Sequence, residues 1–290
     1  MPYLFAFALL LSLNTSTALA NNAHCESDNS CIEVERWDIG IALGYGSKTN
    51  PLKDYDDIPI YLVPTIAYYG DRWFFDNGDL GYTLTEGESF TINLIGTFSH
   101  DRAFFYRWDP SNLFSIQNNS FEQSIGNETS TGMSKNTPEI NTMEKLCRKF
   151  TYLGGAEAFL YTAFGIVKTS VTHDLFNVHN GTEAQLKWRY NIPLNSWNFE
   201  FAAVLDWKSK RVVDYYYGIR PSESIYWSEK YQPKSALNQG LEFTGQYVLT
   251  DNWNLLFAAR YTKIADEIVA SPLLEKDHTT TYFLGAAYRF

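Results

Sequence analysis

Large apolar side chains alternate with small or polar ones in a series of segments, each about 9 to 12 residues long. The last segment, Tyr282 to Phe290, ends the chain and carries an aromatic or aliphatic residue at every even position. Because successive side chains of a β-strand point to opposite faces, each segment has one apolar and one mixed face. A tilted strand of about 9 to 11 residues crosses a bilayer. The pattern therefore predicts an all-β chain of long amphipathic strands.

A transmembrane antiparallel β-barrel accounts for this chain better than a soluble sandwich, whose strands also alternate. Aromatic residues make up 17% of the chain, yet its mean hydropathy is only -0.27. A barrel needs this combination, because only alternate residues face lipid and aromatic girdles mark both interfaces. The terminal aromatic residue, Phe290, also resembles the signal recognised by the outer-membrane assembly machinery. These features favour the outer membrane of a Gram-negative cell.

The N-terminus predicts export. Residues Leu4 to Leu13 are almost wholly apolar, and Ala18-Leu19-Ala20 has the small-x-small form that signal peptidase cuts. We therefore expect a signal peptide over 1–20, a flexible periplasmic N-terminus over 21–36 and the barrel over 37–290.

Placing the C-terminus in the periplasm fixes the direction of every strand counted back from it. Short turns such as 250–252 and 193–195 then fall on the periplasmic side, where single-chain barrels have their shortest connections. The count gives about 12 strands, with both termini periplasmic. Long outer loops are expected at 100–149 and 208–237. The apolar run Val212 to Tyr217 is expected to extend the barrel wall beyond the membrane.

The cysteines and the net charge exclude some functions. An exported chain meets oxidising conditions, so Cys25 and Cys31 could form a small loop disulfide. Cys147 would then be free, or it could pair with either of them. Their spacing resembles no metal site. The net charge of -10 argues against nucleic acid as a partner, since that surface must be basic.

The strand face opposite the apolar one carries charges of both signs. Some of these side chains could line a pore, but mixed signs favour internal pairing that fills the lumen. We expect the following residues on this inward face: Glu183, Lys187, Arg189, Glu200, Asp206, Glu242, Arg260 and Arg289.

Catalytic chemistry has weak support in the sequence. His173-Asp174 with His179 could indicate a metal site or a Ser-His-Asp arrangement, but loop residues that bond neighbouring turns are the favoured interpretation. The acidic run Asp54 to Asp57 could bind a cation, and a solvated loop bridged to lipopolysaccharide is favoured. No hydrolase elbow, zinc-protease pair or phosphate loop occurs. We predict no catalytic, cofactor-binding or metal-binding residue, and no enzyme.

Several blocks resemble the MipA/OmpV family of outer-membrane proteins. They run in the family's order through most of the mature chain: Ile58 to Pro64, Tyr69 to Phe75, Val178 to Ala184, Val213 to Ile219, Ala270 to Leu273 and Ala287 to Phe290. The loop 100–149 and the pair Cys25/Cys31 depart from the pattern. The positions that carry the resemblance are Pro59, Pro64, Gly70, Asp71, Arg72, Asn180, Gly181, Glu183, Asp214, Tyr215, Tyr216, Gly218, Ser271, Pro272 and Phe290.

The resemblance implies a non-enzymatic outer-membrane barrel without a cofactor. The family name derives from interaction with a murein lytic transglycosylase, in a proposed scaffold that joins it to a penicillin-binding protein. A scaffold for a peptidoglycan-remodelling complex is therefore the leading hypothesis, with outer-membrane lipid and lipopolysaccharide as surroundings. The alternatives are a narrow channel for small solutes and a surface adhesin or envelope-stress protein acting through its outer loops.

Overall fold

The protein is a closed antiparallel barrel of twelve strands, seen in a computed structural model that describes residues 35–107, 109–113, 146 and 148–290. This confirms the predicted fold class and strand count. The strands are β1 (Trp37–Lys48), β2 (Ile58–Tyr69), β3 (Trp73–Asp76), β4 (Asp79–Glu86), β5 (Phe90–Phe98), β6 (Tyr152–Thr162), β7 (Gly165–Asp174), β8 (Thr182–Leu194), β9 (Trp197–Lys208), β10 (Ala236–Val248), β11 (Trp253–Lys263) and β12 (His278–Arg289).

Each strand pairs with its sequence neighbour, and the barrel closes where β1 pairs with β12. The closing register runs from Gly40 opposite Arg289 to Lys48 opposite Thr281. Closure gives the first and last strands partners on both sides, which a bilayer requires because it offers no water to bond a free edge. We call the rim that carries Trp37 and Phe290 the lower rim and the opposite one the upper rim.

The outer surface of the wall is apolar and aromatic. Exposed aromatic side chains cluster near both rims, as in the Trp253–Tyr288 pair with ring centroids 5.0 Å apart and the Tyr45–Tyr61 pair at 6.0 Å. Exposed aliphatic residues such as Leu241 and Leu284 lie on the same surface. This is the arrangement of a lipid-facing band between two interfacial girdles.

Short helices lie in the upper connections. They are a 3₁₀ helix (His100–Phe104), α1 (Pro110–Leu113), α2 (Lys210–Tyr217), α3 (Ile225–Lys230) and α4 (Asp266–Val269). None of the helices in the described ranges is long and apolar enough to cross a membrane.

An apolar core lies above the lumen, where four upper connections meet. Its centre is α2, so the expectation that Val212 to Tyr217 extends the wall is wrong. Val212, Val213 and Tyr216 are completely buried. Their spacing places them on one face of the helix, and this face packs against the neighbouring connections. We call this layer the cap; its core comprises Leu52, Phe105, Leu146, Val212, Val213, Tyr216, Tyr217, Ile219, Ala236, Ile264, Ile268 and Leu273.

The β3–β4 hairpin is much shorter than its neighbours. It turns at Asn77–Gly78, and both residues have positive φ (53° and 99°) as a tight hairpin turn requires. Asn77 ends the ladder with β2, because its N–H donates to the Ile66 carbonyl and its side-chain oxygen accepts from the Ile66 N–H. The hairpin therefore lines only the lower part of the wall.

Some predictions fall outside the described residues. These are the signal peptide 1–20, nearly all of the segment 21–36, the pairing of Cys25, Cys31 and Cys147, and most of 100–149.

The closing seam needs glycine at position 44. A Cβ on Gly44 would lie 2.2 Å from the Leu284 carbonyl oxygen and 2.5 Å from the Cα of Gly285. We expect Gly44→Ala to push β1 away from β12 and to cost about 1–3 kcal/mol of barrel stability. The measurement is urea-induced unfolding, followed by the heat-sensitive mobility of the folded barrel in gels.

Gly240→Ala is the matched control for this prediction. Gly240 also faces the lumen, but its added Cβ would meet no atom closer than 3.4 Å. Equal unfolding midpoints for the two variants would show that the β1–β12 approach does not require glycine.

Candidate functional site

The lumen below the cap contains a cluster built around the Lys208 ammonium group. Its Nζ lies 3.0 Å from Asp101 Oδ2, 3.1 Å from Asp206 Oδ2 and 3.3 Å from Glu183 Oε2. Lys208, Asp101 and Glu183 are buried. One cation thus holds three carboxylates from β8, β9 and the 3₁₀ helix, so the helix is tied to the barrel wall.

Hydrogen bonds extend this cluster into the cap. The Tyr217 hydroxyl donates to Asp101 Oδ1 at 3.0 Å, and the Ser271 hydroxyl donates to the Tyr217 carbonyl at 2.6 Å. Ser99 donates to Glu183 Oε1 at 3.3 Å. The cap is therefore joined to the wall by polar bonds as well as by its apolar core.

A second buried ion pair, between Arg148 and Glu223, stabilises the cap. The Arg148 guanidinium is 1% exposed and lies 2.8 Å from Glu223 Oε1. It also donates to the Tyr216 and Gly218 carbonyls at the C-terminal end of α2. A cation is favourable there because the last carbonyls of a helix carry partial negative charge. Arg148 thus supplies hydrogen bonds to carbonyl groups at the end of α2, and its ion pair positions Glu223, which follows the helix.

Further ion pairs lie along the inner face of the wall, between strands that are adjacent or one strand apart. Lys168 lies 2.7 Å from Glu157, and Arg289 lies 2.6 Å from Asp38. Glu242 accepts both Lys187 and Arg260 at 2.7 Å. Six of the eight charges predicted to face inward are members of the pairs named in this section: Glu183, Lys187, Asp206, Glu242, Arg260 and Arg289.

A cavity of about 250 Å³ remains between the pairs and the cap. Polar and charged side chains line most of it, including Lys48, Thr97 and His100. His100 lines this cavity, and its side chain is exposed to the space within it. Burial, followed by the nearby charges of Lys48, Lys208 and Arg260, lowers the pKa of His100 to about 4. The ring is therefore neutral at physiological pH.

The histidines considered for catalysis do not converge. Asp174 accepts the N–H groups of His179 and Asn180, and His179 Nδ1 accepts from the Gly181 N–H at 3.0 Å. His173 is exposed and bonds Thr182 instead. Asp174 and His179 thus shape the turn between β7 and β8. No cluster of three or more metal-ligating His, Cys, Asp or Glu side chains occurs in the described parts of the chain.

The acidic run 54–57 also has a structural role at one position. Asp57 Oδ1 accepts from the Asn50 N–H and from Lys276 Nζ, each at 2.9 Å. Lys276 belongs to the β11–β12 connection, so this contact joins the first and last upper connections across the barrel closure.

The structure brings three of the family-like blocks together in the cap. Arg211 donates to the Asn180 carbonyl, and Gly181 packs so closely on α2 that a Cβ would lie 2.5 Å from Val212 Cγ2. Ser271 bonds the end of α2 as described above. The other positions lie elsewhere: Pro59 and Pro64 on β2, Gly70 to Arg72 in a lower turn, and Phe290 at the lower rim, where its N–H donates to the Ile39 carbonyl.

Sequence reasoning missed Asp101, Arg148 and the cap-fixing role of Lys208. The only local signal for Lys208 was its inward position on β9. Asp101 and Arg148 lie in a long connection without periodicity, and their partners are distant in the sequence: Arg148 and Glu223 are 75 residues apart.

Removal of the Lys208 charge tests what holds the 3₁₀ helix. We expect Lys208→Met to leave three carboxylates without their cation, which costs about 3–5 kcal/mol for a buried group. Amide hydrogen exchange over 99–105 should then accelerate about 100-fold or more, since each 1.4 kcal/mol is tenfold. The measurement is hydrogen exchange of the barrel in lipid nanodiscs.

Lys210→Met is the control, because Lys210 is exposed and lies only two residues away. If both variants exchange like the wild type, the Lys208 cluster does not hold the 3₁₀ helix.

Lowering the pH should destabilise the segment 99–105. The pKa of His100 is about 4 in the folded chain and about 6.5 when exposed, so between these values the unfolded segment binds more protons. The contribution of His100 to stability is complete above pH 6.5 and is lost as the pH falls toward 4. Hydrogen exchange over 99–105, corrected for intrinsic rates, should show this trend.

His100→Gln removes the titrating ring and should flatten that dependence. A difference in exchange between the wild type and His100→Gln that stays constant between pH 6.5 and 4 would contradict the prediction.

Comparison with known proteins agrees with this architecture. The family model described as MltA-interacting protein MipA matches residues 39–290. The MltA-interacting protein of Escherichia coli (strain K12) is 24% identical over 253 residues, which cover 87% of this chain and 90% of the relative. The outer membrane protein OmpV of Vibrio cholerae is 23% identical over 287 residues, covering 98% of each chain.

Solved structures add less. The outer membrane protein OprD from Pseudomonas aeruginosa aligns with a TM-score of 0.36 and 7% identity over 87% of this chain and 65% of OprD, too little to support an argument. The family match over most of the chain confirms the resemblance noted in the sequence. The chain therefore belongs to the MltA-interacting protein MipA family, and it is a β-barrel of the outer membrane.

Proposed function

We propose that this barrel is a platform that holds a murein lytic transglycosylase, together with a penicillin-binding protein, at the periplasmic face of the outer membrane. The observation that supports the proposal is the closed upper end of the lumen: the Lys208 cluster ties the 3₁₀ helix into it, and the cap packs an apolar core above that cluster. A lumen that is closed at its upper end leaves the rims as the surfaces accessible to a soluble partner. The relative named MltA-interacting protein supports a transglycosylase as the partner.

The blocked lumen favours the platform over a solute channel. A channel needs a continuous aqueous path, whereas Lys208 and its carboxylates occupy the space between the cavity and the cap. Separating such buried pairs is costly, so thermal motion opens this path rarely.

The lower rim offers a surface for a protein partner. The Phe164 side chain is 81% exposed in the β6–β7 turn, and the Trp188 indole fixes that turn by donating to the Phe164 carbonyl at 2.8 Å. Glu86 and Glu88 are exposed in the β4–β5 turn. Aromatic side chains are enriched in protein–protein interfaces, so Phe164 is the candidate anchor of this surface.

A binding experiment tests the platform. The purified barrel in nanodiscs should bind a soluble lytic transglycosylase, and Phe164→Ala combined with Glu86→Ala and Glu88→Ala should weaken binding more than tenfold, as loss of a hot spot does. The dissociation constant is measured by surface-immobilised binding, with a penicillin-binding protein added in a second step to detect a ternary complex.

Lys210→Met, an exposed change at the upper rim, is the control and should bind like the wild type. Absence of binding by the wild-type barrel would reject the platform. Steady conductance of the same preparation in planar bilayers would support the channel instead.

A further inference from the structure

The barrel wall has an opening beside β2. Only Ala67 to Tyr69 of β2 pair with β3. The ladder ends at Ile66, whose N–H donates to the Asn77 side chain instead. Above that point, residues Ile58 to Thr65 of β2 pair with β1 on one side, and no strand of the described chain pairs with them on the other. The short β3–β4 hairpin is the cause, because the two strands that fill the lower wall are missing from the upper wall.

Named contacts frame this opening. Below it, the Tyr152 hydroxyl shares its proton between the Gly78 carbonyl at 2.9 Å and the Gly96 carbonyl at 2.7 Å, which ties the hairpin tip to β5 and β6. Above it, Asn50 Nδ2 donates to the Phe104 carbonyl at 2.8 Å, so the end of the 3₁₀ helix reaches the β1–β2 connection. We call the opening between β2, the hairpin tip, the end of β5 and Phe104 the wall window.

The backbone of β2 is suited to an open edge in lipid. The N–H and C=O groups of Ile66 both bond Asn77. In an antiparallel strand every second residue directs its N–H and C=O to the same side, so the backbone polar groups of Pro64 point toward the window. Proline has no N–H, and a strand carries proline where that direction has no partner. This reduces the cost of leaving the edge in hydrocarbon.

The lumen cavity reaches the window. Its lining includes Asp79 at the hairpin tip, Phe104 at the upper frame and Phe98 at the end of β5. Phe98 lies opposite Tyr152 in the ladder, and the Phe98 ring packs at 5.8 Å on Phe150, on the outer side of the wall. The cavity therefore extends to residues that frame the window.

Lys48 places a positive charge at the top of this cavity. Its side chain is buried, its Nζ donates to Asn112 Oδ1 at 3.1 Å, and it lies 4.8 Å from the centre of the Phe104 ring. No carboxylate of the described residues is within ion-pair distance of Nζ. Three of the cavity's acidic groups are engaged by Lys208, and Glu242 is engaged by Lys187 and Arg260. The remaining one, Asp79 at the hairpin tip, is hydrogen-bonded to the Thr97 side chain.

We propose that the wall window is a binding site for a single-chain anionic amphiphile from the outer membrane, such as a long-chain fatty acid. The carboxylate binds Lys48 in the cavity, and the alkyl chain leaves through the window into the hydrocarbon. The height of Lys48 in the barrel fits this orientation, because Lys48 pairs with Ile58 at the upper end of β2. A cavity of about 250 Å³ holds one head group but no diacyl lipid.

Photo-crosslinking tests the site. The barrel in nanodiscs is exposed to palmitate that carries a diazirine in its chain, and the labelled residues are mapped by mass spectrometry. Labels should concentrate on Tyr61 to Pro64 and on Phe98 and Tyr152, and unlabelled palmitate should displace them. Labels spread evenly over the lipid-facing residues, for example Leu241 and Leu284, without displacement would overturn the proposal.

Charge variants test the head-group contact. Lys48→Met should weaken palmitate displacement about tenfold or more, because a hydrogen bond to a charged group is lost. Lys48→Arg keeps the charge and should keep the site, and Lys53→Met, an exposed change in the next connection, should match the wild type. Gel mobility verifies that each variant is folded.

A hexadecylamine probe and a methyl palmitate probe decide the class of ligand. Neither should displace the palmitate label from the wild type. Displacement by all three probes with equal strength, or a folded Lys48→Met that binds like the wild type, would show that no anionic site exists.

Discussion

The constraint on which the whole structure depends is the absence of water in the hydrocarbon core of a membrane. Every backbone N–H and C=O group there must find a partner within the protein, and a closed ladder from β1 to β12 provides one at almost every position. The seam at Gly44 and Gly285 shows how tightly the backbones approach to complete this closure. The exposed aromatic girdles and the inward charges are consequences, because closure leaves one face to lipid and one to the lumen.

The inward charges explain why the lumen is occupied. A charge enclosed by the barrel is stable only when an opposite charge or a hydrogen bond compensates its lost hydration. Lys208 compensates three carboxylates, and Arg148 compensates Glu223 and the end of α2. These contacts couple the cap to the wall at the upper end of the lumen. The platform proposal rests on that coupling.

The wall window is the exception to complete closure. It arises where a hairpin turns early, and Pro64 together with the side chain of Asn77 reduces the number of unpaired backbone groups there. Lys48 is likewise a cation of the cavity that has no carboxylate of the described residues within ion-pair distance. Both features occur at the same side of the lumen, which is why a ligand with an apolar chain and an acidic head fits them.

The sequence by itself determined the class of fold, the strand count and the surface each strand gives to lipid, because alternation in segments such as Tyr282 to Phe290 is a local property of the backbone. It also identified the inward charges and the family-like blocks. Only the tertiary structure decided that Val212 to Tyr217 is a buried helix, that Asp101 meets Lys208 and that β3 ends early. Those features depend on contacts between residues far apart in the chain, and neither periodicity nor composition encodes which distant side chain supplies a missing charge or hydrogen bond.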